Sequence, residues 1–357
     1  MLIEGKNTFN VAPLCFLPSG MLVCYRRGNL ELLKDGKEVC AYPVFTGWKE
    51  RWLGRIRPIY RILRMGIRAA IAIDDDHVIL SVGNMLYEYC FSQQQLSKGF
   101  CLVDRIRPLI FTELKGISGF TDGVVFGEYF GNTEKRAVKI YRRTGVDQWE
   151  VVGEFPAGSI THVHNLVADA YRNSVWAFTG DFGEESAIWK ITDDFKHIER
   201  VLYGDQKYRG CVAFALPEGV LYATDAPFQD DFIYLMKDDL ALEEIAPIDG
   251  SCIYGCQWRD EFVFQSTVEP NGLNQTRWQL YTQRKRGDGI KNDYAHIYVG
   301  NLQKGFREIY KEKKDWLPMI FQFGVFKFPA GVNNSDTLYF QPVATNKNDG
   351  RLMRIKT

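Results

Sequence analysis

Two of the five histidines in this chain, His162 and His164, lie two residues apart in the apolar run THVHNLV at 161–167. On a β-strand alternate side chains share a face, so both imidazoles point the same way. Such a pair has two chemical uses. It holds a divalent metal with a nearby carboxylate as further ligand, or it does general acid and base work beside a charged neighbour. The plain alternative is a pair of satisfied polar residues lining a water-filled channel. Carboxylates that could join the pair follow in GDFGEES (180–186), which carries Asp181, Glu184 and Glu185, and precede it in VVFGEY, which ends in Glu128 and Tyr129. Asn165 adjoins the pair, Arg209 stands in KYRGC, and Asp225 and Asp230 stand in TDAPFQDD. Glu128 and Asp181 supply the residue types of an acid and nucleophile pair for glycoside cleavage, which needs carboxyls about 5–10 Å apart. Each could equally cap a turn. Arg209 suits a bidentate clamp on a ligand carboxylate or phosphate, or an internal partner for Asp181 or Asp225. His77, His197 and His296 fall in turns or an insertion and read as solvated.

The elements that must position these residues repeat. Seven short apolar strands each follow a turn, as MLVCY (21–25), VILSV (78–82), VVFGEY (124–129), VWAFTGD (175–181), VLYATD (220–225), FVFQST (262–267) and TLYFQP (337–342). The residues before them, Gly20, His77, Gly123, Ser174, Gly219, Glu261 and Asp336, are spaced by 42 to 57 residues, with one final step of 75. That is the period of β-propeller blades. The long step contains PNGLNQTRWQLYTQRKRGDGIKNDY, read as a surface hairpin insertion over about 268–295 in blade six. The last unit shows three strands, so the N-terminal stretch is expected to supply the fourth and close the ring, which removes exposed sheet edges. The prediction is an all-β, seven-bladed β-propeller as a single domain over 1–357, closed by pairing of the N-terminal strand with the last blade. In that fold the innermost strand A of each blade begins at the face where the B–C loops emerge. Blades three, four and five therefore aim the residues above at one place near the axis.

Composition narrows the function classes. With 46% apolar and 14% aromatic residues the chain can fill the spaces between blades, and Lys plus Arg at 44 equals Asp plus Glu at 44. Net charge thus gives no reason to expect nucleic acid as a partner. No secretory signal pattern and no transmembrane-length apolar run is visible, which reads as cytoplasmic. The eight cysteines (Cys15, Cys24, Cys40, Cys90, Cys101, Cys211, Cys252 and Cys256) lie mostly in apolar runs without a CxxC pair and are expected to be buried, reduced thiols.

A second feature stands apart. WKERWLGRIRPIYRILRMGIR, at 48–68 between blades one and two, holds seven basic residues and one acidic residue, with Trp48, Trp52, Ile56, Ile59, Leu63 and Ile67 at helical spacing and Pro58 interrupting them. The stripe is expected to pack beneath the blade with its arginines solvated. The alternatives are peripheral contact with an anionic leaflet at the inner membrane, and contact with a phosphorylated ligand.

ITHVHNLVADAYRNSVWAFTGDFGEESAIWKI together with QKYRGCVAFALPEGVLYATDAP resembles bacterial glycosyl-hydrolase-like (BNR-like, sialidase-like) propellers of surface-polysaccharide gene clusters, most strongly over about 115–240. The matching elements are GEY (Glu128, Tyr129), HVHN (His162, His164, Asn165), TGD with its following acidic residues (Asp181, Glu185), YR (Tyr208, Arg209) and TD (Thr224, Asp225). The Asp-box of true sialidases is not kept. YRRTGVDQW (141–149) retains Trp149 and a turn glycine but loses the Ser and Asp spacing, and no arginine triad is evident. The resemblance implies a carbohydrate-binding propeller, with an anionic or lipid-linked saccharide as partner. Hydrolase-like catalysis would fall to Glu128, His162, His164, Asp181 and Glu185, and substrate binding to Tyr129, Asn165, Arg209 and Asp225. His162 and His164 are the candidate ligands for a divalent metal. Two other readings stay open: a non-catalytic scaffold of a polysaccharide assembly complex, and a polysaccharide lyase using His, Tyr and Arg.

Overall fold

The computed structural model describes residues 2–45, 47, 52–270 and 277–356. Seven antiparallel sheets follow one another around a ring, six with four strands and one with five. The last sheet takes the N-terminal strand Leu2–Phe9 beside Arg351–Lys356, so the chain closes as expected. Blade four illustrates the pattern: strand A is Val163–Asp169, B is Ser174–Thr179, C is Ala187–Thr192 and D is His197–Tyr203. Strands A and B are buried almost throughout, whereas the outermost strand alternates between half-buried and exposed residues, as an edge facing water should. Blade two departs from four regular strands, because its outer edge is made of two-residue pieces, Gln95–Leu96 and Phe100–Cys101.

The core lies between blades. One cluster runs from Ile79 of blade two through Phe126 and Ile140 of blade three to Ala177 and Trp189 of blade four. Trp149, the residue kept from the Asp-box pattern, packs on Phe111 and edge-on to Phe126. It is a core residue. All eight cysteines are free thiols. Cys15, Cys24, Cys211, Cys252 and Cys256 are buried, but Cys40 and Cys101 are exposed and Cys90 is half-buried, which corrects the expectation for those three. The insertion over 268–295 bears a six-residue helix, Arg277–Thr282, and isolated bridges from Val268 to Gly324 and from Pro270 to Arg286, with 271–276 outside the described residues.

The basic connector packs on the ring in the opposite sense to the one expected. Trp48 and residues 49–51 lie outside the described residues. Beyond them, a short helix, Arg57–Ile62, starts at Pro58, whose missing N–H costs nothing in a first turn. Arg57 is paired with Asp349 (2.7 Å), and Arg61, only 2% exposed, pairs with Asp315 and donates from Nε to the Phe321 carbonyl at 2.5 Å. Ile67 is buried in the core as expected, but Trp52 at 64%, Ile56 at 49% and Leu63 at 58% exposure face outward, as does Trp316 at 72%. Arg57 and Arg61 go inward, while Arg55 and Arg64 stay exposed, because carboxylates and a carbonyl near blade seven offer the two inward arginines partners, which outweighs burial of a few apolar side chains.

Candidate functional site

Strand A of blade four brings the two histidines together as the spacing predicts. Their Nε2 atoms are 2.9 Å apart, so one imidazole donates and the other accepts. The local geometry owes something to a bulge. The A–B ladder shifts register between Val163 and Asn165, leaving His164 as the extra residue, and the same shift in blade five, between Gly210 and Val212, makes Cys211 the extra residue. Bulges re-aim a side chain out of the alternating pattern. Here they turn His164 and Cys211 toward a common centre, where His164, Cys211 and Asp225 bring their polar atoms within 4.8 Å of one another.

Asp181 reaches the pair from the B–C loop. Gly180 before it has a φ of +63°, and a Cβ there would collide with the backbone of Glu185, so this tight turn demands glycine. The Asp181 carboxylate lies 3.3 Å from His164 Nε2, 3.6 Å from His162 Nε2 and 3.2 Å from Arg209 Nη2. Arg209 also donates to Asp225, from Nη2 at 3.1 Å and from Nε at 3.2 Å. Four predicted residues, His162, His164, Asp181 and Arg209, thus form one continuous network with Asp225 across blades four and five. Asn165 serves the same seam by donating to the Cys211 carbonyl at 3.1 Å.

Electrostatics follow from this arrangement. Burial alone would raise the Asp181 carboxyl, but hydrogen bonds from both histidines and the Arg209 charge hold it well below the usual carboxylate range. Burial pushes His164 down, aided by His162 and Arg209 and opposed by Asp181, so the ring is neutral at pH 7. Cys211 is raised far above an ordinary thiol by burial and by the neighbouring Asp225, which leaves it protonated and a poor ligand. Glu269, unmarked by any motif, is buried and interacts electrostatically with Arg209. Its carboxyl is pushed up to about 8 by burial and by Asp225.

Other predicted residues are placed elsewhere. Glu128 stays within blade three, where its carboxylate accepts from the Lys139 N–H at 3.0 Å and the Tyr141 hydroxyl at 3.2 Å. Burial raises its pKa, but its partners are backbone and core, not the histidines. Glu185 turns away to pair with Lys135. Tyr129 does reach the centre, though its ring is occupied, with the Arg107 guanidinium 4.7 Å from one centroid contact and His162 at 4.6 Å. Little aromatic face remains for stacking on a sugar. His296, read as solvated, is 2% exposed on strand C of blade six, between Glu308 at 2.5 Å and Asp249 at 3.3 Å.

A cleft of about 420 Å³ opens over blades three and four, with Arg105, Arg107, Tyr129, Phe130, His162 and Asp181 among its lining residues. Arg107 is a functional candidate that the sequence reading missed. It lies in a loop without a recognisable strand pattern and reaches the centre through a bridge to Tyr129. As a metal centre, His162, His164 and Asp181 offer three donor atoms within 4.8 Å. The donor set fits a divalent ion by type. Arg209 occupies one Asp181 oxygen, however, and a dication beside it would meet a fixed positive charge.

No protein-family model and no curated sequence matches the chain. Among solved structures it is similar to the β-propeller domain of Cps50 (Swd1) from Myceliophteria thermophila, with a TM-score of 0.58 and 8% identity over 99% of this chain and 98% of that one. It is also similar to a chain of a mitotic checkpoint complex, with a TM-score of 0.55 and 8% identity over 100% of this chain and 91% of that one. These likenesses agree with the seven-bladed β-propeller and show the fold alone. They do not point specifically to the sialidase-like group.

Proposed function

We propose that this protein is a non-catalytic interaction propeller, a scaffold that holds partners rather than transforming a substrate. One observation carries the reading: the polar groups at the centre are consumed by one another. Asp181 is ion-paired and ionised, Asp225 is bound to Arg209, and Glu128 is held by its own blade, so none of the three is left free as the acid or the nucleophile that glycoside cleavage requires. A lyase would need Tyr129 or a histidine to take a proton from carbon. Burial raises Tyr129 further above its ordinary value, making its phenolate scarcer still. A saccharide, anionic or lipid-linked, fits this scaffold as something held rather than cleaved.

The test is turnover. Purified protein incubated with neutral and uronate-containing polysaccharides is expected to release neither reducing ends nor ultraviolet-absorbing unsaturated uronates. Release that disappears in Glu128→Gln or His164→Ala would establish the enzyme reading instead.

The outward apolar residues of the connector are where we place a partner surface, because Trp52, Ile56, Leu63 and Trp316 leave apolar area open beside basic side chains. Among the described residues no helix is long and apolar enough to cross a membrane, so lipid contact here would be superficial. Vesicles of anionic lipid are expected to co-sediment with the protein at low salt and to lose it, by roughly tenfold in partition, in Trp52→Ala/Leu63→Ser. Equal sedimentation of the double variant would remove lipid as the partner.

A further inference from the structure

A second group of charges, all cationic, reaches through Arg107 into the cleft that His162 and Asp181 also line, and the scaffold reading does not use it. Arg68 immediately precedes strand A of blade two (Ala69–Ala72), Arg107 bridges Tyr129 just beyond strand B of blade three, and Lys327 ends strand A of blade seven (Val325–Lys327). Arg64 stands just before Arg68 on the connector. Strands A line the axis of a propeller, so these four cations come from three blades and one connector to the same channel mouth.

Their surroundings differ from those of several buried and half-buried arginines. Arg57, Arg61, Arg142, Arg143, Arg172 and Arg209 each have a carboxylate partner. Among the described residues, Arg64, Arg68, Arg107 and Lys327 have none. The two aromatic partners available carry no charge: Arg107 lies over Tyr129 at 4.7 Å, and Lys327 lies 5.8 Å from the Tyr254 ring centroid. Burial and then the charges of Arg68, Arg57, Arg107 and Arg64 push the Lys327 ammonium down to about 7. Burial and then Arg107 and Arg64 bring Arg68 down to about 10. Arg64 is exposed, but Arg68, Arg107 and Lys327 are half-buried; a fold gains nothing by gathering half-buried like charges without counter-ions, and an arrangement that costs stability in the free protein is best explained by what neutralises it.

We propose that Arg64, Arg68, Arg107 and Lys327 form an anion site at the channel mouth that takes a phosphoryl group of more than one negative charge, a diphosphate above all. Charge number selects the class. A carboxylate or a sulfate ester brings one negative charge to four cations, whereas a diphosphate brings at least two and offers the oxygen pairs that planar guanidinium groups bind bidentately. Arg107 borders the same cleft as His162 and Asp181, but none of the four cations is ion-paired to that network, so an anion can be held there whether or not the His162 centre is catalytic.

Calorimetric titration of the purified full chain with inorganic pyrophosphate at low salt tests it, with glucuronate as the singly charged comparison. Pyrophosphate is expected to bind at least about tenfold more tightly than glucuronate, and Arg107→Ala and Lys327→Met are each expected to weaken it by about tenfold or more. Without ligand, Lys327→Met should melt no lower than the wild type, since it removes a crowded charge, and pyrophosphate should raise the melting temperature of the wild type only. Arg68→Gln serves as a third variant should another fail to fold. A nucleoside diphosphate and vesicles containing a phosphorylated lipid, offered in turn, identify the carrier, and binding of either supports the site. Absence of pyrophosphate binding by the wild type, equal affinity for glucuronate, or undiminished affinity in folded variants would overturn it.

Discussion

Arg209→Met is expected to destabilise the protein by about 3–5 kcal/mol, the usual cost of removing one partner from a buried charge pair. Asp225 loses the only cation that, among the described residues, is bound to its carboxylate, while its side chain is 5% exposed and its other oxygen already lacks a hydrogen-bond partner. Methionine keeps much of the stem's volume, so the loss measures the charge rather than a cavity. Asp181 is about one third exposed, and its replacement by Asn should cost less, about 1–2 kcal/mol, because water screens part of the pair. The pH dependence carries a sign as well. A carboxyl whose folded pKa is depressed contributes stability that is present above its unfolded value of about 3.9 and is lost as pH falls through the folded value. In Arg209→Met the Asp181 carboxyl loses its cation, its folded pKa rises toward the unfolded one, and the acid unfolding limb moves to higher pH. Urea midpoints at neutral pH and acid titrations of wild type and variant measure both effects. An unchanged midpoint would mean that Arg209 waits for a ligand rather than clamping blades four and five.

Arg61→Ala is the second large effect, at about 2–4 kcal/mol. Its side chain is almost wholly buried and bridges Asp315, Asp349 (3.4 Å) and the Phe321 carbonyl, which joins the connector between blades one and two to the segment leading into blade seven. The loss falls short of a full orphaned charge, because Asp349 keeps Arg57 and Asp315 keeps Lys314. Amide exchange over 52–68 should accelerate together with a lower global melting temperature. Faster local exchange at an unchanged melting temperature would make the connector a flap that the ring does not need.

Much of this architecture was legible because a propeller writes its period into the chain. Turn residues and apolar runs recur at blade spacing, and the missing fourth strand of the last unit identified the N-terminal strand as its partner. The closeness of His162 and His164 was suggested by a similarly local signal, their two-residue spacing, although the bulge at His164 is what aims that ring. The approach of Asp181 and Arg209 followed from knowing where B–C loops and strands A meet.

What the chain alone left open depended on contacts between distant segments. Glu128 and Asp181 look equivalent as strand-B ends, yet one faces its own blade and the other the axis, because a side chain's direction at a strand end depends on bulges and loop closure. The connector's periodicity was real, but which of its faces turned inward was decided by Asp315 and Asp349, more than 250 residues away along the chain. Arg68, Arg107 and Lys327 carry no shared motif and became a cluster only when the ring closed. Local physics, in period, turns and alternation, set the blades and the histidine pair. Tertiary closure decided which charges would be satisfied internally and which would be left facing the channel, because ion pairing depends on through-space distance, and sequence spacing bounds that distance only within a single strand or turn.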